Sequence, residues 1–152
     1  AWSLLETVRG RVVATLGPDH PAHADALSDL GRIAWLRGQH AEAIALQSEV
    51  IAIRERAYGP DSPRLSDPLN ARGAARFMNG DPVGALPDFE RALEITERRY
   101  GPDHLEITPA LDNLTECAAE AGDLARARSL AARSLAIRRA GVPSDNPDLA
   151  RS

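Results

Sequence analysis

Apolar residues recur every three or four positions along most of the chain. Ala43, Leu46, Val50 and Ile53 step this way, as do Ala85, Phe89, Ala92 and Ile95, and Leu27, Leu30 and Ala34. That spacing puts each set on one face of an α-helix. No stretch keeps a two-residue alternation, so no strand is predicted. The helical pattern breaks at regular points. Leu16-Gly17-Pro18-Asp19-His20 returns as Tyr58-Gly59-Pro60-Asp61-Ser62 and again as Tyr100-Gly101-Pro102-Asp103-His104. The copies begin at 16, 58 and 100, a period of 42 residues. A worn fourth copy, Val142-Pro143-Ser144-Asp145-Asn146-Pro147, stands where the next step lands. Gly38, Gly80 and Gly122 keep the same period.

Each marker has a physical job. Gly-Pro-Asp stops a helix and turns the chain. Pro21 and Pro63 suit the first turn of a new helix. Gly38, Gly80 and Gly122 fall between two helical patterns, where a tight turn needs a permissive backbone. The unit is therefore helix A, a Gly turn, helix B and a Gly-Pro-Asp loop. One such pair cannot bury its apolar face, so neighbours must stack. The expected fold is all-α, a solenoid of antiparallel helix pairs with about seven helices, forming a single repeat domain over 1–152. A lone helix B occupies 1–16, three repeats span 17–58, 59–100 and 101–141, and 142–152 begins the next loop. The helices are expected near 2–16, 21–37, 41–57, 63–79, 83–99, 106–121 and 124–140.

Composition narrows the picture. Hydrophobic residues make up 43% and aromatics 4%, so the core must be built from Ala, Leu, Ile and Val. The net charge is -4, with no block of one sign. A nucleic-acid or membrane-surface partner wants a concentrated basic face, so neither is expected. All 18 basic residues are Arg. A GC-rich genome accounts for that, and the planar Arg fork also suits ion pairs between repeats. The single cysteine, Cys117, allows no disulfide within the chain and reads as a small buried residue. No apolar run reaches the roughly 20 residues of a membrane span, and no signal peptide is visible. A cytoplasmic location is expected. The chain begins at Ala1 and its sole methionine is Met78, so a piece of a longer array is expected.

No catalytic chemistry is expected. His20, His23 and Asp25 have the makings of a metal site, but His20 belongs to the repeated loop, where the next copy carries Ser62. His104 is the same loop position again, and His40 starts a helix B. No Cys-x-x-Cys, His-Glu-x-x-His or phosphate-loop motif occurs. The expectation is no enzyme, no cofactor and no metal.

These markers resemble a known family. Leu27, Leu30, Gly31 and Ala34, followed by Ala43 and Val50, match the tetratricopeptide pattern in part. So do Leu69 and Gly73 followed by Ala85, Phe89 and Ala92, and Leu111, Leu114 and Ala118 followed by Ala127. The period of 42 and the Gly-Pro-Asp-His-Pro loop resemble the kinesin light chain type of repeat, found in many bacterial arrays. The resemblance implies a right-handed α-solenoid whose A helices line a concave groove. It implies a protein or peptide partner there, facing Asp25, Ser28, Arg32 and Trp35 in the first unit. Asp67, Asn70, Phe77 and Met78 follow in the second, and Asp112, Asn113, Glu116 and Glu120 in the third. Trp35, Leu36, Phe77 and Met78 would make an apolar patch, unless Trp35 and Phe77 are buried between helices. Asp112, Glu116 and Glu120 would make the third unit acidic, so the expected partner carries apolar anchors and a basic segment.

The middle repeat departs from the pattern. Arg72 and Arg76 replace apolar residues and share one helix face. Either this helix is shifted or both stems snorkel to solvent, or the pair faces carboxylates of a neighbouring helix or a ligand. Pro68 implies that this helix starts late, with Asp67 as its cap. The function expected is a protein- or peptide-binding scaffold. The alternatives are a structural spacer that self-associates through exposed solenoid ends, or a regulatory segment of a larger signalling enzyme.

Overall fold

Among the described residues, seven α-helices form where the three-to-four periodicity predicts them: α1 (Trp2–Leu16), α2 (Pro21–Leu36), α3 (His40–Tyr58), α4 (Ser66–Met78), α5 (Pro82–Tyr100), α6 (Thr108–Glu120) and α7 (Leu124–Ala140). The structure is a computed structural model and describes residues 2–141; the fourth loop copy, within 142–152, lies outside the described residues. Among these there is no strand. The pairs α2–α3, α4–α5 and α6–α7 are the three helical hairpins, and α1 precedes them as a lone B-type helix. Each helix packs on the next in the chain. The backbones of the A helices α2, α4 and α6 also approach closely from one unit to the next, whereas successive B helices meet through side chains alone. The stack is therefore pinched on the A side, which makes that side the concave one.

The turns follow from the loop chemistry. Gly80 and Gly101 adopt φ of 82° and 99°, a region that side chains with a Cβ avoid. The residue after Gly-Pro-Asp caps the next helical segment. His20 accepts from Ala22 N at 3.2 Å, Ser62 from Arg64 N at 3.3 Å and His104 from Glu106 N at 3.2 Å. His20 is thus a helix cap, which explains why serine can replace it.

Two A helices start in steps. A 3-10 turn, Pro63–Leu65, precedes α4, and another, Leu105–Ile107, precedes α6. Pro68 and Pro109 cause this. In a continuous helix the N–H of residue 68 would donate to Arg64 O, and that of 109 to Leu105 O. Proline has no such donor. Arg54 Nη1 supplies the first missing bond at 2.9 Å, and the Thr108 hydroxyl supplies the second at 3.0 Å. The late start expected at Pro68 is found. Asp67 is not the cap: Leu65 holds the N-cap position of α4 with no side-chain bond, and Asp67 lies inside the first turn.

Arginine ties successive units together at repeated positions. Arg91 pairs with Glu55 and donates to Pro60 O at 2.7 Å. One period on, Arg133 pairs with Glu97 and donates to Pro102 O at 2.6 Å. The loop aspartates pair likewise, Asp19 with Arg56 and Asp61 with Arg98.

The core is segmented, as stacking units require. Ala24, Leu27, Val50 and Ile53 join α2 to α3. Ile51, Leu65, Leu69, Ala92 and Ile95 bridge the first two units. The largest cluster gathers Phe89, Ile107, Leu111, Leu114, Cys117 and Ile137. Between these lies a charged group. Asp88, 3% exposed, accepts from Arg72 through both oxygens, at 2.6 and 2.9 Å, and from Arg76 at 2.8 Å. Ser48 and the Gly84 carbonyl take further guanidinium donors. Arg72 and Arg76 therefore face a carboxylate of the neighbouring helix and do not snorkel away. The other two units carry Leu30, Ala34 and Leu46, and Leu114, Ala118 and Leu130, at the same three positions. An apolar contact has been exchanged as a set for an ionic one.

Candidate binding groove

Helix α2 turns Ser28, Arg32 and Trp35 to one side because they lie three and four residues apart. Facing them, α4 presents Asp67, Pro68, Ala71 and Ala74. Between these two helices and α3 lies an open cavity of about 320 Å³. Trp35 lines it and stays 41% exposed. Small residues make room: Gly31, Ala43, Ala71 and Ala74 all line the space. Gln47 and Arg54 of α3 complete the wall. Arg54 is held by Asp25 at 3.0 Å and by Arg64 O, and Arg32 pairs with Asp29 at 3.3 Å.

Of the twelve residues expected at the groove, the cavity gathers Ser28, Arg32, Trp35 and Asp67. Asp25 joins indirectly, through Arg54. Asn70 is half-buried, and its Oδ1 is buried with no hydrogen-bond partner among the described residues. Met78 is 54% exposed and Leu36 is 67% exposed. Phe77 behaves differently. It is half-buried and packs against the large apolar cluster, so the apolar patch divides: Trp35, Leu36 and Met78 face solvent while Phe77 leans into the core.

The acidic stripe of α6 also divides. Asp112 accepts from Ser134 Oγ at 2.8 Å and is paired with Arg138, both on α7. Its charge is spent within the third hairpin. Glu116 and Glu120 remain exposed, and Asn113 is half-buried. None of these four lines the cavity beside Trp35. Cys117 is buried behind them, and burial, aided by the Glu116 charge, pushes its thiol up to about 11. A thiol held neutral is a poor nucleophile.

Gln47, Asp29 and Arg54 were missed at the sequence level. A signal existed for Gln47. One period on stands Phe89, the aromatic of the helix-B motif, and a polar residue at that place is a departure from the pattern.

The tetratricopeptide repeat family matches residues 64–140, and a second form of the same repeat matches residues 23–64. The chain belongs to the tetratricopeptide repeat family. Its fold matches BtubC (BKLC) from P. vanneervenii, at 21% identity and a TM-score of 0.84, over 91% of this chain and 56% of that one. The chain thus spans little more than half the length of that relative. It also matches the nearly identical tetratricopeptide-like repeats of a putative kinesin light chain from Podosopora anserina, at 23% identity and a TM-score of 0.79, over 94% of this chain and 68% of that one. The tetratricopeptide domain of Arabidopsis FLU aligns at 17% identity and a TM-score of 0.68, covering 77% of this chain and 95% of that domain. No curated protein matches in sequence. The repeats are of the kinesin light chain type in fold. Tetratricopeptide repeats generally mediate protein–protein interaction or scaffolding, and generally do so without catalysis. Among the described residues, no helix is long and apolar enough to cross a membrane.

Proposed function

We propose that this chain is a binding module that holds a partner polypeptide along the concave face formed by α2, α4 and α6. One observation carries the reading: Trp35 stays 41% exposed on the wall of an open cavity between two A helices. An exposed tryptophan beside a pocket with a polar rim is the usual makeup of a binding anchor. Met78, 54% exposed, extends the surface along α4. Exposed Glu116 and Glu120 favour a partner with a basic stretch beyond its apolar anchors.

Peptide display against the whole chain tests this. Selected peptides are expected to share a motif, and Trp35→Ala and Asn70→Ala are expected to weaken them. Unrelated peptides indifferent to both changes would sink the groove reading. We place the module in the cytoplasm, a reading that its single buried, reduced thiol supports.

A further inference from the structure

We infer that the cavity between α2, α3 and α4 is a subsite for an arginine side chain of the bound segment; this rests on the groove reading above and specifies it.

Position 47 sets the first unit apart from the second. In the second unit its counterpart Phe89 closes the space against Gly73, whose added Cβ would stand only 2.9 Å from the ring. In the first unit Gln47 lies against Gly31 instead, 4% exposed. Its Nε2 reaches Ser28 O at 3.5 Å, while its Oε1 is buried with no hydrogen-bond partner among the described residues. An orphaned amide oxygen is costly, and native structures rarely keep one without a reason. Here it belongs to a residue that lines the open cavity. Exchanging an aromatic for glutamine has put an acceptor where the repeat normally has an apolar plug.

The charges around it favour a cation. Two carboxylates, Asp29 and Asp67, and two guanidiniums, Arg32 and Arg54, line the cavity, and Asp25, outside the lining, holds Arg54. Arg32 is committed to Asp29, and Arg54 to Asp25 and a backbone carbonyl. Asp67 is exposed and has no ion-pair partner among the described residues. Trp35 supplies an aromatic wall. A buried acceptor, an unpaired carboxylate and an indole together complement a flat cation with several N–H donors. An apolar side chain would leave Gln47 Oε1 unsatisfied. An anion would meet the Asp67 carboxylate, which no ion pair among the described residues offsets. An ammonium is more strongly hydrated and stacks less well than a guanidinium.

The test uses small probes on the whole chain. The indole N–H signals of Trp35 and Trp2 are followed by NMR during titration with N-acetylarginine amide, and separately with N-acetylnorleucine amide. The expected result is a saturable shift at Trp35 with the arginine probe and none with norleucine. Asp67→Asn, at an exposed site, and Gln47→Met, checked for folding by circular dichroism, should each weaken that binding about tenfold. Equal shifts with norleucine, no shift with arginine, or binding that survives both substitutions would overturn the subsite. The groove reading fails separately. Displayed peptides that need Trp35 and Asn70 but show no arginine preference leave the groove standing without the subsite. Arginine-amide binding without any groove-dependent peptide leaves the subsite without the groove.

Discussion

Arg72 Nη2 lies 2.6 Å from Asp88 Oδ1, at the place where the neighbouring repeats carry two leucines. Asp88 also holds Arg76. Removing the carboxylate strands two partly buried guanidiniums, so Asp88→Leu alone should cost about 3–5 kcal/mol. Replacing the whole set, Arg72→Leu with Arg76→Ala and Asp88→Leu, restores the composition of the flanking units. That triple variant should be neutral or up to about 4 kcal/mol more stable than the native chain. Urea unfolding of the two variants checks both values. A single variant as stable as the native chain would mean that the group is not closed as described.

The spacing of α4 from α5 depends on Gly73. An added methyl would meet the Phe89 ring at 2.9 Å, so Gly73→Ala should cost about 1–3 kcal/mol by overpacking. Gly10, mid-way along α1, has nothing within 4 Å of the same methyl. Gly10→Ala should therefore stabilise by roughly 0.5–1 kcal/mol. Thermal melts of the pair should move in opposite directions.

The Arg91 and Arg133 contacts predict an additive stitching of the stack. Each guanidinium meets a carboxylate of the preceding helix B and a loop carbonyl. Either alanine substitution should cost about 1 kcal/mol, mostly through the carbonyl bond, since half-exposed ion pairs contribute little. The loss should persist in high salt. A loss that vanishes in salt would assign the effect to the ion pair alone.

Burial holds the Cys117 thiol neutral. Its value rises from the ordinary 9.0 to about 11 in the folded chain. Because the folded value is raised, the associated stability is fully present below pH 9 and is lost as pH climbs toward 11. Iodoacetamide at about pH 8, below the ordinary thiol value, should alkylate the urea-unfolded chain much faster than the native one, with mass spectrometry as the readout.

The architecture was largely legible in the sequence. The 42-residue period and the helix pairs rest on short-range rules, and short-range rules survive folding; His20 reads in the sequence only as part of the repeated loop, and its cap emerges with the structure. The stepped starts at Pro63 and Leu105 were half legible: Pro68 signalled the delay, but the donor that replaces its missing N–H comes from Arg54 on another helix. The site was less legible. Exposure of Trp35 and engagement of Asp112 by Arg138 depend on how helices dock, which periodicity does not specify. The ionic set at 72, 76 and 88 leaves a trace only when all three positions are compared one period either way. Gln47 leaves the same kind of trace.

Binding by the concave face is open to direct measurement. Calorimetric titration of one display-selected peptide into the native chain, Trp35→Ala and Arg98→Ala measures this directly. Trp35 lines the inner cavity, whereas Arg98 is exposed on a B helix and pairs with Asp61. Trp35→Ala should weaken binding by about 2 kcal/mol, roughly thirtyfold, and Arg98→Ala should leave it nearly unchanged. Equal losses from both, or full affinity in Trp35→Ala, would contradict the groove.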